Sequence, residues 1–529
     1  MNTPFPGRLG LNPATAKNIL WGGAFFLLYI LIYGLLLPRL GLHWDEVLDF
    51  DGSATGTYIG AGRWGMALYR TLFGGGTVPW AAGIMAGLYL CTAIVLQTKL
   101  LRLDTPGLKF CYGALMLGMP QFESMLVYSF QSDAIALGFI LCTLTNLLLF
   151  RKGTLPLSCW LLAILLMSLA IGIYQALLFY GCALAIGSWL VRRREKESPS
   201  PYRLAYRFGL TFLLAFILYY ILRATTLALP LASEEQLEYC LQYQQGMTQW
   251  GTFLGLTLTQ KLLFLAHYLK YMVYSELGLM YAGQWIYTTA LIPLFLLVLR
   301  HLKQKETWNT RLYCLIALAL LWVLPHIMII LLGTYQGARV NLPEPLCCAL
   351  LWIIWLKNAA LTPALKRTGG ILLIFILIQS CYTVSRNAWQ EELNHERNIH
   401  DMRQLCADAR RFAAEKGIVT PELRICPVPV ASPPSPTPAR RKAYGPLGHL
   451  ISCLSEQELA PARPNPLCNG VAGWYDRLYH FTADGNHLIP LPSSERKQWK
   501  DEIHQLTTWP TPGCMMLKGN CVIVRVSTE

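Results

Sequence analysis

ILWGGAFFLLYILIYGLLLP, residues 19–38, is twenty residues long and carries no charged side chain. A helix of that length rises about 30 Å, the thickness of a bilayer's hydrocarbon core. A signal peptide's apolar segment is shorter and ends at a small-x-small cleavage site, which this stretch lacks. Only Arg8 and Lys17 are charged ahead of it, so it reads as a retained first membrane span.

Ten further apolar runs follow, near 79–98, 107–120, 133–150, 155–173, 175–191, 205–228, 286–300, 312–332, 345–357 and 369–385. They predict a mainly α, polytopic membrane protein of about eleven transmembrane helices. The runs 107–120, 286–300 and 345–357 are short, which suits tilted helices or helices that borrow apolar residues from their flanks. The stretch 250–285 is moderately apolar and aromatic; it reads as interfacial or re-entrant, with a hidden pair of spans as the alternative. Charged residues make up 14% of the chain, against about a quarter in a soluble domain. The net charge of +14 does not indicate nucleic acid, because Lys and Arg sit in short clusters between apolar runs.

Those clusters alternate. With the N-terminus inside, the cytoplasmic loops hold Lys99, Arg102 and Lys109; Arg151 and Lys152; and Arg192, Arg193, Arg194, Lys196, Arg203 and Arg207. Later inner loops add Arg300, Lys303, Lys305, Arg311, Lys357, Lys366 and Arg367, while the outer loops hold few basic residues. This is the positive-inside bias, and an odd number of spans then puts the C-terminal end outside the cytoplasm. The expected division is a transmembrane domain over 1–385 and an extracytoplasmic domain over 386–529.

In that tail, residues 385–417 are charged with apolar positions at helical spacing and predict an amphipathic helix. LRICPVPV reads as a strand running into a proline-rich linker, Pro427 to Pro438, and CVIVRV (521–526) alternates like a second strand. A small α/β domain is expected. Its six cysteines, Cys406, Cys426, Cys453, Cys468, Cys514 and Cys521, suit one or more disulfides in an oxidising compartment or else buried thiols, and spacing does not give the pairing.

The acids are unevenly placed. The first outer loop packs Asp45, Glu46, Asp49 and Asp51 into seven residues, followed by Arg63 and Trp64. Crowded carboxylates at a low-dielectric boundary repel, which suits a general base or a divalent-cation ligand. An arginine fork nearby suits a phosphate. A solvated loop that merely stays out of the bilayer accounts for the same acids. The second outer loop adds Glu123, Tyr128, Gln131 and Asp133, where ionisable residues at membrane depth point to function and helix capping by Ser132 or Asp133 is the plainer reading. Tyr174 and Gln175 mark a later outer turn that also needs only modest polarity. Arg339 is the sole basic residue of its outer turn, and Arg223 reads as a snorkelling side chain. The sequence contains no P-loop, dinucleotide fingerprint, HExxH or paired CxxC, so a nucleotide-driven pump is disfavoured.

In order and spacing, WDE (44–46), GRW (62–64), PQFESMLVYSFQSDAIAL (120–137), LAIGIYQALLFY (169–180) and GARVNLPEPL (337–346) resemble the bacterial type II O-antigen glucosyltransferases, membrane enzymes of the C-type glycosyltransferase fold. The resemblance covers roughly residues 20–410. It implies transfer of glucose, or a similar hexose, from an undecaprenyl-phosphate sugar donor to a lipid-linked glycan acceptor. Transfer would take place on the periplasmic face of the bacterial inner membrane, by one inverting displacement. It casts Asp45 or Glu46 as the base, Arg63 and Arg339 as the donor-phosphate ligands, and Trp44, Trp64, Glu123, Tyr128, Gln131, Asp133, Tyr174 and Gln175 as substrate-binding residues. Asp49 and Asp51 are then the pair open to a divalent cation such as Mg or Mn, although many relatives work without one. The family tends to place an acid three residues after the tyrosine of the second outer loop; here that position is Gln131 and the acid is Asp133. The rival readings are a polysaccharide-precursor flippase or transporter, and an O-antigen ligase or polymerase. A transporter would place its ionisable residues at the midplane of two repeated halves, and no repeat is visible. A ligase or polymerase would rely on a large late outer loop.

Overall fold

The computed structural model describes residues 12–37, 54–73, 78–119, 121–151, 153, 155–193, 201–229, 231, 255–274, 288–303, 307–327, 340–357, 362–420, 423–430, 487–489, 491 and 493–527. Two compact units emerge, and the boundary falls between Asn387 and Ala388.

The first unit is helical throughout its described residues: α1 (Pro13–Tyr33), α2 (Ala54–Gly60), α3 (Trp64–Phe73), α4 (Pro79–Leu100), α5 (Pro106–Leu117), α6 (Gln121–Val127), α7 (Ser129–Leu149), α8 (Leu157–Ile173), α9 (Leu177–Arg192), α10 (Pro201–Ala228), α11 (Leu258–Tyr274), α12 (Leu291–Lys303), α13 (Trp308–Val323), α14 (Pro343–Leu356) and the start of α15 (Pro363–Glu415). Proline opens α4, α5 and α14, where its missing N–H would have no helical partner anyway. The described residues of the eleven apolar runs lie mostly on helices. Six helices among the described residues are long and apolar enough to cross a membrane: α1, α4, α7, α10, α13 with the 3-10 turn Leu324–His326, and the apolar part of α15. Helices α8, α9 and α14 are apolar but shorter. Large aliphatic side chains such as Leu20, Leu27, Leu31, Ile371 and Ile378 stand exposed on these helices, as a lipid-facing surface requires. Among the described residues of the ambiguous 250–285 stretch, 255–274, the structure places one helix, α11.

Inside the bundle α7 packs between α4 and α8, and α14 packs against α5 and α9. A buried, uncharged polar knot ties four helices. Gln97 Nε2 donates to Thr143 Oγ1 (3.0 Å) and Tyr180 Oη (2.8 Å), while Tyr112 Oη donates to Gln97 Oε1 (2.8 Å). Each group finds a partner in a medium that offers no water.

In the second unit α15 continues as a single uninterrupted helix to Glu415, so the last apolar run and the amphipathic segment are one element of 53 residues. β1 (Arg424–Val430), β2 (His487–Leu488), α16 (Ser493–Gln498), α17 (Lys500–Gln505), β3 (Met515–Lys518) and β4 (Cys521–Ser527) follow. The strand order is β2-β1-β4-β3; β1 is parallel to both neighbours and β3 antiparallel to β4. One sheet face packs Ile425, Val522, Val524 and Val526 on Met402, Leu405, Ala409 and Ala413 of α15. The other packs Cys426, Val428, Cys521 and Ile523 with Leu491 and Ile503. β1 and β4 are thus buried on both faces, as expected of parallel pairing.

Pro427 and Pro429 lie inside β1 rather than in a linker. Arg424 N donates toward β4 (Asn520 O, 2.9 Å), whereas Ile425 O accepts from Ile489 on the β2 side (3.1 Å). Pro427 and Pro429 share the parity of Ile425, so their missing N–H groups face the β2 side, where among the described residues β2 pairs only with Arg424 and Ile425.

Candidate functional site

The site grows from GAGRW (60–64), between α2 and α3. Gly62 N donates to Ile59 O (2.9 Å) and Arg63 N reaches back to Tyr58 O (2.7 Å), a Schellman closure of α2. Gly62 takes the left-handed conformation this closure needs (φ +72°). The chain turns there, and Arg63 O accepts from Met66 N and Ala67 N to start α3.

Arg63 is held by two residues from other parts of the bundle. Its Nη1 donates to Gln131 Oε1 on α7 (3.1 Å), and its guanidinium lies 4.7 Å from the centroid of the Tyr174 ring, at the α8–α9 turn. In the same turn Gln175 Nε2 donates to Ala61 O (3.0 Å) and Tyr219 Oη (3.2 Å). Tyr219, on α10, donates to Gly62 O (3.0 Å). Arg223 stands one turn further along α10: a Cβ built on Gly62 would lie 2.7 Å from Tyr219 Oη and 3.1 Å from Arg223 Nε. Two guanidiniums and a phenol therefore surround one glycine. Among the described residues no carboxylate pairs with Arg63, and its buried Nε has no hydrogen-bond partner. Such a cationic, donor-rich spot is chemically suited to an anion with planar or tetrahedral oxygens.

Two contacts fix α3. Arg70 clamps Asp133 through Nη2–Oδ1 (2.6 Å) and Nη1–Oδ2 (3.1 Å), with both side chains buried. Arg70 also donates to Phe130 O, and Tyr69 Oη donates to Asp133 Oδ2 (3.0 Å). Burial, with the Asp133 charge adding, pushes the Tyr69 phenol up, so it remains a proton donor in this pair. On the opposite side the buried Trp64 lies flat against α8, where a Cβ at Gly172 would come within 2.5 Å of the indole.

Of the residues singled out from the sequence, Arg63, Gln131, Tyr174 and Gln175 come together, with Trp64 beside them. Asp133 is engaged by Arg70 and Tyr69. Glu123 is buried and accepts from Asn387 Nδ2 (2.8 Å). Tyr128 is half-buried and packs edge-on to Phe130. Trp44, Asp45, Glu46, Asp49, Asp51 and Arg339 lie outside the described residues. Among the described residues no group of three His, Cys, Asp or Glu side chains is placed to hold a metal ion. The sequence does not single out Tyr219, and in it Arg223 reads as a snorkelling side chain. Their spacing of four on one helix face was the available signal.

Comparison with curated proteins finds no match. The family model for the glucosyl transferase GtrII matches residues 42–347, which is more than half the chain and spans both the GAGRW turn and every residue gathered around it. The chain therefore belongs to the GtrII glucosyl transferase family, as a membrane glycosyltransferase.

Proposed function

We propose that the protein transfers glucose, or a similar hexose, from an undecaprenyl-phosphate sugar to a lipid-linked glycan such as an O-antigen precursor, on the periplasmic face of the bacterial inner membrane. In this reading the chain crosses the membrane eleven times with its N-terminus in the cytoplasm and its C-terminal domain in the periplasm. The alternation of basic loops supports that topology. The observation that carries the reaction is the setting of Arg63, a guanidinium gripped by a neutral amide and an aromatic face. Gln131, standing where the family tends to have an acid, leaves the arginine's charge available to a phosphate.

The chemistry is one displacement. Asp45 or Glu46 takes the proton of the acceptor hydroxyl as its oxygen attacks the anomeric carbon, and the bond to the polyprenyl phosphate breaks with inversion. Arg63 and Arg339, with Arg223 and the Tyr219 hydroxyl, stabilise the charge that grows on the departing phosphate. Trp44, Trp64, Tyr128, Gln131, Tyr174 and Gln175 line the sugar-phosphate path. Asp133 and Glu123 position the helices that carry it. Asp49 and Asp51 are the acids open to a divalent cation, and no step here depends on one.

Membranes carrying the wild-type chain should move radiolabel from polyprenyl-phosphate glucose to endogenous lipid-linked glycan. Asp45→Asn or Glu46→Gln should cut the rate at least 100-fold at unchanged insertion, the usual range for loss of general-base catalysis. Arg63→Ala should slow it by a similar factor. Absence of transfer from any polyprenyl-phosphate sugar by well-inserted wild type would overturn the donor assignment and favour a transporter.

A further inference from the structure

We propose that Cys426 and Cys521 form an intramolecular disulfide that closes the C-terminal domain. The two sulfurs lie 3.0 Å apart, closer than non-bonded sulfurs rest against each other, although 95 residues separate them in sequence. The register explains the approach. β1 and β4 run parallel with Arg424 opposite Cys521 and Cys426 opposite Ile523, so the two cysteines are diagonal neighbours on one sheet face. Both side chains are buried beside Val428, Leu491, Ile503 and Ile523, where a pair of thiols offers poor hydrogen bonding and a disulfide leaves none to satisfy.

The bond would tie the first strand of the sheet to the last, across 95 positions of chain. Cross-linking so large a loop restricts the unfolded chain most. The small sheet, with β2 paired over two residues, has much to gain from it.

The redox step balances with a disulfide-carrying oxidant, either a dithiol–disulfide exchange protein or a small-molecule disulfide. Cys521 gives up its proton to become the attacking thiolate. Cys521 Sγ attacks a sulfur of the oxidant, forming a mixed disulfide and expelling the oxidant's second sulfur as a thiolate. Cys426 then gives up its proton and attacks Cys521 Sγ, releasing the first sulfur. Two protein thiols are oxidised to one disulfide, and the oxidant's disulfide is reduced to two thiols that take up both protons. Because both sulfurs are buried in the folded sheet, the exchange takes place before β4 seats against β1.

The full-length chain is purified from membranes without reductant, denatured in acid, alkylated with N-ethylmaleimide, digested and read by mass spectrometry. The expected result is a peptide linking Cys426 to Cys521, at least tenfold more abundant than the alkylated forms of either cysteine and lost on reduction. Alkylation of both cysteines before reduction, or their linkage to Cys406, Cys453, Cys468 or Cys514 instead, overturns the proposal. The wild-type readout needs no variant. Cys426→Ser and Cys521→Ser should each abolish the non-reducing gel shift while leaving one alkylatable thiol. The sugar-transfer assay is separate, so its failure and the failure of this bond are distinguishable.

Discussion

A single backbone position governs where Arg63 points. Gly62 has φ +72°, and a Cβ there would meet Tyr219 Oη at 2.7 Å and the Arg223 side chain at 3.1 Å. Gly62→Ala therefore carries both a left-handed strain, about 1–2 kcal/mol, and a clash with two groups of the site. We expect Gly62→Ala to insert normally and lose at least tenfold in transfer rate. A rate within twofold of wild type would show that the Arg63–Tyr219–Arg223 arrangement is not needed. Sequence flagged GRW as a motif, yet it gave the glycine no task. The need for a positive φ becomes visible only when Arg63 N is seen bonded back to Tyr58 O.

Among the elements, α3 shows how a short helix is made rigid. It is ten residues long and cannot hold itself in place. The buried Arg70–Asp133 clamp fastens it to α7, and Trp64 against Gly172 fastens it to α8. Asp133→Ala leaves the Arg70 charge buried without its carboxylate, which costs about 3–5 kcal/mol. The expected outcome is a clear drop in the midpoint of thermal unfolding in detergent. The double variant Arg70→Met with Asp133→Leu should recover most of it, because it leaves no orphan charge. If Asp133→Ala melts like wild type, the clamp does not hold α3. From the sequence Asp133 was a candidate substrate ligand or a cap, since nothing in one dimension pairs it with a residue 63 positions earlier. The same limit applied to Glu123 and Asn387, 264 positions apart.

At the scale of the whole molecule, the chain builds two units with separate interiors: a bundle held by helix packing and a sheet closed on both faces. In the second, Ala409 sits at the centre of the α15 face that covers Ile425 and Val524. Ala409→Asp puts a carboxylate into that interior, at a cost on the order of 3 kcal/mol. Limited proteolysis should then cut residues 388–529 at a lower temperature than in wild type, read by the appearance of tail fragments. Unchanged protection would mean that this face is not the core of the unit.

The sequence by itself determined the membrane class, the helical runs, the helix after the last run, a strand at LRICPVPV running into a linker and a strand over 521–526. Those features depend on residue periodicity and on the length of apolar stretches, which are local and additive. It also carried the family, through motifs kept in order over some three hundred residues. Only the tertiary structure decided that Arg63, Gln131, Tyr174, Gln175 and Tyr219 meet, drawing on segments as far apart as the 157 positions between Gly62 and Tyr219. It also decided that Pro427 and Pro429 belong to a strand, paired along β4 through Val524 and Val526, and that Cys426 has Cys521 beside it. Such convergences depend on which helix faces pack and in what register, and neither leaves a periodic trace along the chain.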